Sequence, residues 1–594
     1  MLSNLKSIWI GMALTFSAIS VQGQTKLQLS DFKNNGGSWS EVAKVWANPL
    51  QSEQILFSEG KGNIILNAPT NKKPGTDIVS SEKFGDAEVT LVYMMAPGSN
   101  SGIYLQGQYE IQLLDSWSRV AVKAGDNGGI YERWDDTKPD GQKGYQGYAP
   151  RQNASKAPGI WQTLKVHFKA PRFSASGDKI QNARIVSATL NGVTIHEDVE
   201  LFGPTRGALA GGEVAEGPIR IQGDHGPIAI KSLEVKPFDT PAPEFKNISF
   251  QVFPGSYTEL PAENTLKASS VGKIGSFDEF VAGLTTSSLS KFEGTISVKK
   301  AGNYTFRMAV PNNGLGAIQL ENTSEPIQLR QGVTTVEKSL QPGEVPFVIW
   351  VSKPTDWTAQ GFYLTAYADA MWQQTYSNPV GMSSWSADAI LVDTRETPVL
   401  RSFIDLPNRT RISHGISVSS QSGTHYSYDL NSNQLLRVWR GIFLDATPMW
   451  NDRGNGVSRP FGSITELSLA SGLLLNLNNS SVNDEWQAKG YRILGDGSVS
   501  FSSQSKNGLE LKDQIQVMPD GKGVDRKIEL SGSSAPLKIR VVPGKVLTKI
   551  SKNLFWIEDA GLYLKVSSSD QKPEVGADGI FLPITTALSY SLLF

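Results

Sequence analysis

The chain has no cysteine in 594 residues. That absence excludes a disulfide framework, a thiolate nucleophile, a lipid-modified N-terminal cysteine and a C-x-x-C-H haem site together. Histidine is scarce: His167, His196, His225, His414 and His425 are the five, with neither H-x-H nor H-E-x-x-H spacing, which argues against a His-rich zinc site. An excess of one charge is missing too. The 56 basic and 57 acidic side chains leave a net charge of −1, which removes any global electrostatic case for nucleic acid or an anionic membrane as partner. No Walker-type or G-x-G-x-x-G sequence follows a strand-like run, so no nucleotide or nicotinamide cofactor is indicated.

Long apolar runs are confined to the beginning. Lys6 precedes an apolar stretch from Ile8 to about Ile19, followed by Val21-Gln22-Gly23, the pattern of a secretory signal peptide with cleavage after Gly23. As a helix that stretch reaches roughly 18 Å, short of the roughly 30 Å hydrocarbon core, so no stable membrane span is expected. The reading is an exported protein, periplasmic or extracellular. Glycine (57), proline (31), tryptophan (14) and tyrosine (16) fit turn-rich β structure, and aromatic rings also serve sugar-binding faces.

The length implies several cores. Residues 24–238 read as short alternating strands between Gly/Pro/Asn turns, including Ala87–Tyr93, Gly102–Leu114, Thr163–Phe168 and Ile219–Ile221. The proline-rich segment 239–246 reads as a linker. A second β region spans 247–372, a loose stretch 373–394 follows, and a third β region runs over 395–594. The expected fold is all-β: a concanavalin-like jelly-roll sandwich followed by two further β-sandwich domains.

The stretch from Ser101 to Ser116 carries the most chemistry. Treated as one strand, Tyr104, Gln106, Gln108, Glu110 and Gln112 share one face, and Ile103, Leu105, Tyr109, Ile111 and Leu113 the other. The second set is a core face. The first is a row able to stack on a sugar ring and bracket its hydroxyls, although a solvated face has the same alternation.

Further along stand Gly128-Gly-Ile-Tyr131, Asn153-Ala-Ser-Lys-Ala-Pro-Gly-Ile-Trp-Gln162, Lys169-Ala-Pro-Arg-Phe173, Gly203-Pro-Thr205 and Gly217-Pro-Ile-Arg-Ile-Gln-Gly-Asp-His-Gly-Pro227. Taken in order with Ser101–Ser116, these motifs make the N-terminal third resemble the 3-keto-disaccharide hydrolase family. The chain departs from that pattern in an expanded loop, Glu132–Tyr148, rich in acidic and aromatic residues.

The resemblance implies a 3-keto-glycoside substrate and a particular chemistry. A ketone at carbon 3 acidifies the hydrogen on carbon 2; a base removes it, the enolate expels the anomeric group, and water adds back. A base, an enolate stabiliser and an acid for the leaving group are required. Glu110 is the first candidate for base or metal ligand, Asp115 for its partner, and His225 for acid or enolate stabiliser. Tyr104, Gln106, Gln108, Gln112, Tyr131, Trp134, Arg133, Arg151 and Arg206 are the candidate substrate contacts. Plain structural roles are open for the candidate acids and bases: a surface ion pair for Glu110, a turn cap for Asp115, a backbone-bonded turn residue for His225. On a straight strand Glu110 and Asp115 stand roughly 16 Å apart on opposite faces, whereas a direct-displacement glycosidase places its carboxyls roughly 5.5 or 6.5–9.5 Å apart. This favours elimination. No cofactor is assigned; a divalent metal, calcium or manganese, on Glu110, Asp115 or Asp224 is left open.

The second region carries Phe292–Val298, Ala301–Phe306 and Gly343–Trp350 and resembles the anthrax protective-antigen-type sandwich, but its Pro311-Asn312-Asn313-Gly314 turn lacks the carboxylates that help such modules bind calcium. The string Leu436–Trp450 is similar to a sandwich domain found beside sugar-dehydrogenase modules in bacterial envelope proteins, which suggests an envelope dehydrogenase that makes the keto sugar as a partner. Two rival functions remain: a non-catalytic carbohydrate-binding or scaffold protein, and an ordinary glycoside hydrolase acting on unoxidised sugar.

Overall fold

The computed structural model describes residues 24–594 other than 52–53, 280–285, 311–313, 322–326, 331–332, 358–360, 378–388, 397, 452, 468–473, 477–484 and 533–536. The leader expected over 1–23, the 311–313 part of the expected turn and the 378–388 part of the expected linker lie outside the described residues.

The N-terminal region is a two-sheet sandwich. One sheet has eight strands in the order Val193–Leu201, Ala183–Leu190, Gln162–Lys169, Ala87–Met95, Ile228–Pro237, Ile64–Asn67 and Trp39–Val42, with Thr25–Lys26 also paired to Ile228–Pro237. The facing sheet has five: Tyr109–Leu114, Asn100–Leu105, Gly217–Ile221, Ile78–Phe84 and Phe32–Lys33. Alternation places Val89, Leu91, Tyr93 and Met95 of the large sheet against Ile103, Leu105, Tyr109, Ile111 and Leu113 of the small one, in one core.

The expected single strand over 102–114 is instead a hairpin. Gln106 (φ 54°) and Gly107 (φ 68°) both adopt the left-handed conformation, and the Gln108 amide donates to the Leu105 carbonyl at 2.9 Å, so residues 106–108 turn the chain between the paired Leu105 and Tyr109. The chain reverses there, and Glu110 comes to lie opposite Tyr104. Cross-strand position, not position along one strand, therefore decides what Glu110 meets.

The second region forms a six-stranded sheet (Ser270–Ile274, Glu244–Pro254, Ser288–Val298, Gly343–Lys353, Leu315–Leu320, Ile327–Arg330) and a four-stranded one (Val333–Leu340, Gly302–Ala309, Tyr363–Ala368, Gln374–Ser377) around a core that includes Phe292, Phe306, Phe347 and Ile349. Its first strand begins at Glu244, inside the segment expected to be linker. The third region contains five-, four- and eight-stranded sheets around a core of Tyr428, Val438, Ile515, Ile528, Leu564 and Leu592. One helix of four residues, Thr447–Trp450, interrupts it. Among the described residues no helix is long and apolar enough to cross a membrane.

The first and third regions share a core. Met94, Leu66 and Ala229, on the outer face of the eight-stranded sheet, join Trp117, Ala157 and Ile160 and pack against Leu554, Trp556, Tyr563 and Leu593. The Trp117 indole donates to the Phe594 carbonyl at 2.7 Å, and the Tyr563 hydroxyl lies 3.0 and 3.1 Å from the carbonyls of Ala47 and Pro158. A side chain at Gly159 would meet that hydroxyl at 2.0 Å, so part of the Asn153–Gln162 motif serves this contact. The second region is tied on by Trp372, which stacks on Phe238 (ring centroids 4.3 Å apart) and donates to Asp86 at 2.8 Å.

Candidate active site

The outer face of the five-stranded sheet brings the polar residues together through its register. Glu110 pairs with Tyr104, and Tyr104 pairs on its other side with Arg220. Residues directly opposite in a sheet share a face, so the three side chains form one row across three strands. Gly102 makes room for it: a Cβ there would lie 2.2 Å from Glu110 Oε1.

Arg220 is held from the far side by Asp77. Its Nε donates to Asp77 Oδ2 at 2.7 Å, while Asp77 Oδ1 accepts the Gly223 amide at 2.9 Å. The guanidinium also donates to the Gly207 carbonyl and lies 4.4 Å from the centre of the Tyr104 ring. Its hydrogen bonds are thus directed to Asp77 and Gly207, and Glu110 feels it as a nearby charge. The Tyr104 hydroxyl reaches both the Glu110 carboxylate and the Arg206 carbonyl, the latter at 3.3 Å.

Glu110 is 2% exposed. Burial pushes its carboxyl up to about 7; the Tyr104 hydrogen bond, Arg220 and His225 pull it down, and Asp77 adds to the rise. A carboxyl poised there exchanges protons near neutral pH, the range in which a general base is most effective. Burial and the neighbouring carboxylate raise the Tyr104 hydroxyl well above its ordinary range, so Tyr104 stays a hydrogen-bond donor.

His225 stands at the edge of this row. Its Nδ1 lies 2.5 Å from Asp224 Oδ1 and 3.3 Å from the Gln222 amide nitrogen, and Nε2 has no protein partner among the described residues. A carboxylate on Nδ1 orients the ring. Buried acceptors without a protein partner, Asn100 Oδ1, Gln112 Oε1 and Gln222 Oε1, belong to the same strands or the turn beyond them. Such atoms are costly unless something hydrogen-bonds them, which suits a place where a hydroxylated ligand enters.

The other sequence candidates are dispersed. Gln106 donates to the carbonyls of Phe84 (3.1 Å) and Ala215 (2.9 Å), and Gln108 to that of Leu209 (3.1 Å), so both tie the hairpin end to the 209–215 loop. Asp115 follows the strand end, where it accepts the amides of Gly98 (2.9 Å) and Trp117 (3.2 Å). Arg151 pairs with Glu197 at 2.8 Å on the exterior. Tyr131 donates its amide to the Glu110 carbonyl at 3.0 Å. The Glu132–Tyr148 loop contains the short hairpin Arg133–Trp134 with Gly144–Tyr145; Arg206 lies 3.7 Å over the Trp134 ring, while Arg133 packs on Gly203 and stands 5.2 Å from the Tyr145 ring. Of these, Arg206 reaches the middle of the row, where its carbonyl accepts from the Tyr104 hydroxyl.

Arg220, Gln222, Asn100 and Asp77 were not singled out from sequence. For Arg220 and Gln222 a signal existed, since they alternate within Gly217–Pro227; Asp77 has none. Among the described residues no group of three His, Asp or Glu is placed to hold a metal, and Glu110, Asp115 and Asp224 do not form one.

Residues 25–236 match the model of a family described as the 3-keto-alpha-glucoside-1,2-lyase-like domain. That match assigns the N-terminal region to a carbohydrate-active type. Among solved structures, a protein of Parabacteroides distasonis described as a candidate glycosyl hydrolase is 24% identical, covering 35% of this chain and 82% of its own, with a TM-score of 0.24. A second from the same organism, described likewise, is 16% identical over 36% of this chain and 98% of its own, with a TM-score of 0.23. An anti-sigma factor domain-containing protein from Clostridium clariflavum is 11% identical over 44% of this chain and 98% of its own, at 0.19. No curated protein matches the chain.

Proposed function

We propose that the N-terminal domain cleaves 3-keto-glycosides by elimination and rehydration, with Glu110 as the base. The observation that carries this reading is a buried carboxyl held near neutrality beside a Tyr104 donor and the fixed charge of Arg220. Ionised Glu110 takes the proton from carbon 2, whose electrons become the enolate of the neighbouring ketone. Tyr104 and Arg220 stabilise the negative charge that gathers on the carbon 3 oxygen. The enolate then collapses to a carbon 1–carbon 2 double bond and the carbon 1–oxygen bond breaks. The leaving oxygen takes a proton from His225, whose ring Asp224 orients.

Water next adds to carbon 1, giving its proton to His225, and protonated Glu110 returns its proton to carbon 2. Both residues end as they began, and the net change is hydrolysis. Asp115, an expected partner of Glu110, enters this scheme only as a brace for the chain between Gly98 and Trp117. Nothing in the scheme requires a metal. The envelope dehydrogenase expected from the sequence is the class of reaction that would supply the ketone.

The test compares a 3-keto-disaccharide with its unoxidised parent, using the whole protein and a Glu110→Gln variant. Release of free sugar from the keto substrate alone, slowed about 10²–10⁴-fold in the variant, is the expected result. Equal cleavage of the parent sugar, or full activity in the variant, would sink the proposal.

A further inference from the structure

Glu110 stands on an edge strand. Tyr109–Leu114 is the outermost strand of the five-stranded sheet, and a strand paired on one side only opens at lower cost than one paired on both. Residues 128–131 close that edge. The Gly128 amide donates to the Gln112 carbonyl and the Gln112 amide to that of Gly129, both at 2.8 Å, and the Tyr131 amide donates to the Glu110 carbonyl at 3.0 Å. The backbone around Glu110 is thus held from both sides, by Asn100–Leu105 and by this clip.

The clip takes its position from the loop before it. The Ser116 hydroxyl donates to Asp126 at 3.1 Å and accepts the Asn127 amide at 3.0 Å, and a side chain at Gly129 would meet the Ala124 carbonyl at 2.2 Å. On its inner side the loop is tied to the N-terminal sandwich, where Tyr93 donates to Asn127 at 2.7 Å. On its outer side it is tied to the third region. The Trp117 indole, 3% exposed, donates to the Phe594 carbonyl at 2.7 Å, and the Lys522 ammonium lies 5.4 Å from its ring centre. Asn153 donates to the carbonyls of Ser116 and Arg119 at 2.7 and 2.8 Å, while the adjoining Gln152 accepts the Ile442 amide at 2.7 Å. Hydrogen bonds and short chain segments therefore form a contiguous path from Ile442 and Phe594 to the Glu110 strand.

We infer that the third region is a working part of the active site, with Trp117 and Gln152 as positioning residues that hold the Glu110 strand against Tyr104. The inference rests on Glu110 being the base of the proposed reaction. On it, the C-terminal region serves the chemistry without touching substrate.

The test uses the full chain with Trp117→Phe, which removes the indole donor, and with Gln152→Met, which removes the acceptor at similar size. Trp372→Phe is the control, since it loses the donor to Asp86 at the tie to the second region. In both test variants amide hydrogen exchange at Gln112, Gly128 and Tyr131 should quicken about tenfold, while Ala183–Leu190 in the facing sheet keeps its rate. The kcat on a 3-keto-disaccharide should fall about tenfold or more with KM nearly unchanged, and the control should alter neither readout. Unchanged exchange at the three amides, exchange raised evenly across both sheets, a retained kcat, or an equal loss of kcat in Trp372→Phe overturns the positioning role and leaves the reaction standing. If the wild type cleaves no keto substrate, the reaction falls instead. Exchange alone then decides: quickening confined to the three amides upholds the hold of the third region on this strand, and unchanged or evenly raised exchange overturns it.

Discussion

In the C-terminal region Asp513 is gripped by Arg526, whose Nη2 and Nε lie 2.6 and 3.0 Å from its two oxygens; the Tyr428 hydroxyl donates to it at 3.0 Å and the Tyr590 hydroxyl accepts from Arg526 at 2.9 Å. In the N-terminal region Glu110, Tyr104 and Arg220 assemble the same three side-chain types, but there a second carboxylate, Asp77, has taken the arginine. The difference is one of allocation. Where the arginine closes on its carboxylate, each of its nitrogens has an acceptor and the cluster is a strut. Where it is drawn aside, the carboxyl is left buried with a tyrosine and its proton affinity rises to about 7. The first arrangement serves the core; the second can exchange a proton.

The comparison can be broken most forcefully at the strut. Asp513→Asn leaves Arg526 charged and uncompensated with about 1% of its side chain exposed, and the loss should be about 3–5 kcal/mol of unfolding free energy, read from denaturant midpoints. A cost below about 1 kcal/mol would mean that the pair is not the strut described. Because the first and third regions share a core through Trp117 and Tyr563, the N-terminal region should lose stability along with it.

Glu110 should behave in the opposite sense. Its folded carboxyl, near 7, sits above the ordinary 4.5, so between those pH values the native state binds more protons than the unfolded one. Stability contributed by the neutral carboxyl is complete below about pH 4.5 and declines as pH rises towards 7. Relative to wild type, Glu110→Gln should therefore gain up to about 3 kcal/mol on going from pH 4 to pH 8. Thermal melts of both proteins across that range check it, and parallel curves would contradict the assignment.

The subtlest alteration is Asp77→Asn. It frees Arg220 to turn to Glu110 and removes the carboxylate that adds to its rise. The acidic limb of kcat/KM should then move below its wild-type position by about one pH unit. A limb that stays in place would show that Asp77 does not set the allocation.

Several of these features were legible in the chain itself. Alternation put Tyr104, Glu110 and Gln112 on a face apart from Ile103, Leu105 and Ile111, and the sandwich class followed from short strands between Gly/Pro turns. The hairpin at Gln106–Gly107 was not legible, because Gln-Gly lacks the strong Asn-Gly or Asp-Gly turn preference. That single reversal explains why Gln106 and Gln108, expected beside Glu110 on the sugar face, instead hold down a loop. Asp115 is close to Glu110 in sequence, yet its hydrogen bonds go to Gly98 and Trp117, since sequence proximity says little once a strand has ended.

What the sequence by itself determined is the kind of structure and the kind of residues available: all-β architecture, a chain without thiol chemistry, a near-neutral charge, and a carboxylate, tyrosine and histidine within motifs that resemble those of a sugar-cleaving family. Local periodicity and composition act over a few residues, and these properties are local. Only the tertiary structure decided that Tyr104 stands between Glu110 and Arg220, that Asp77, 33 positions before Glu110, holds the arginine, and that part of the outer face of the large sheet, at Leu66, Met94 and Ala229, is buried against the last strands of the chain. Those outcomes depend on strand register and on burial, and both are settled between segments far apart in sequence.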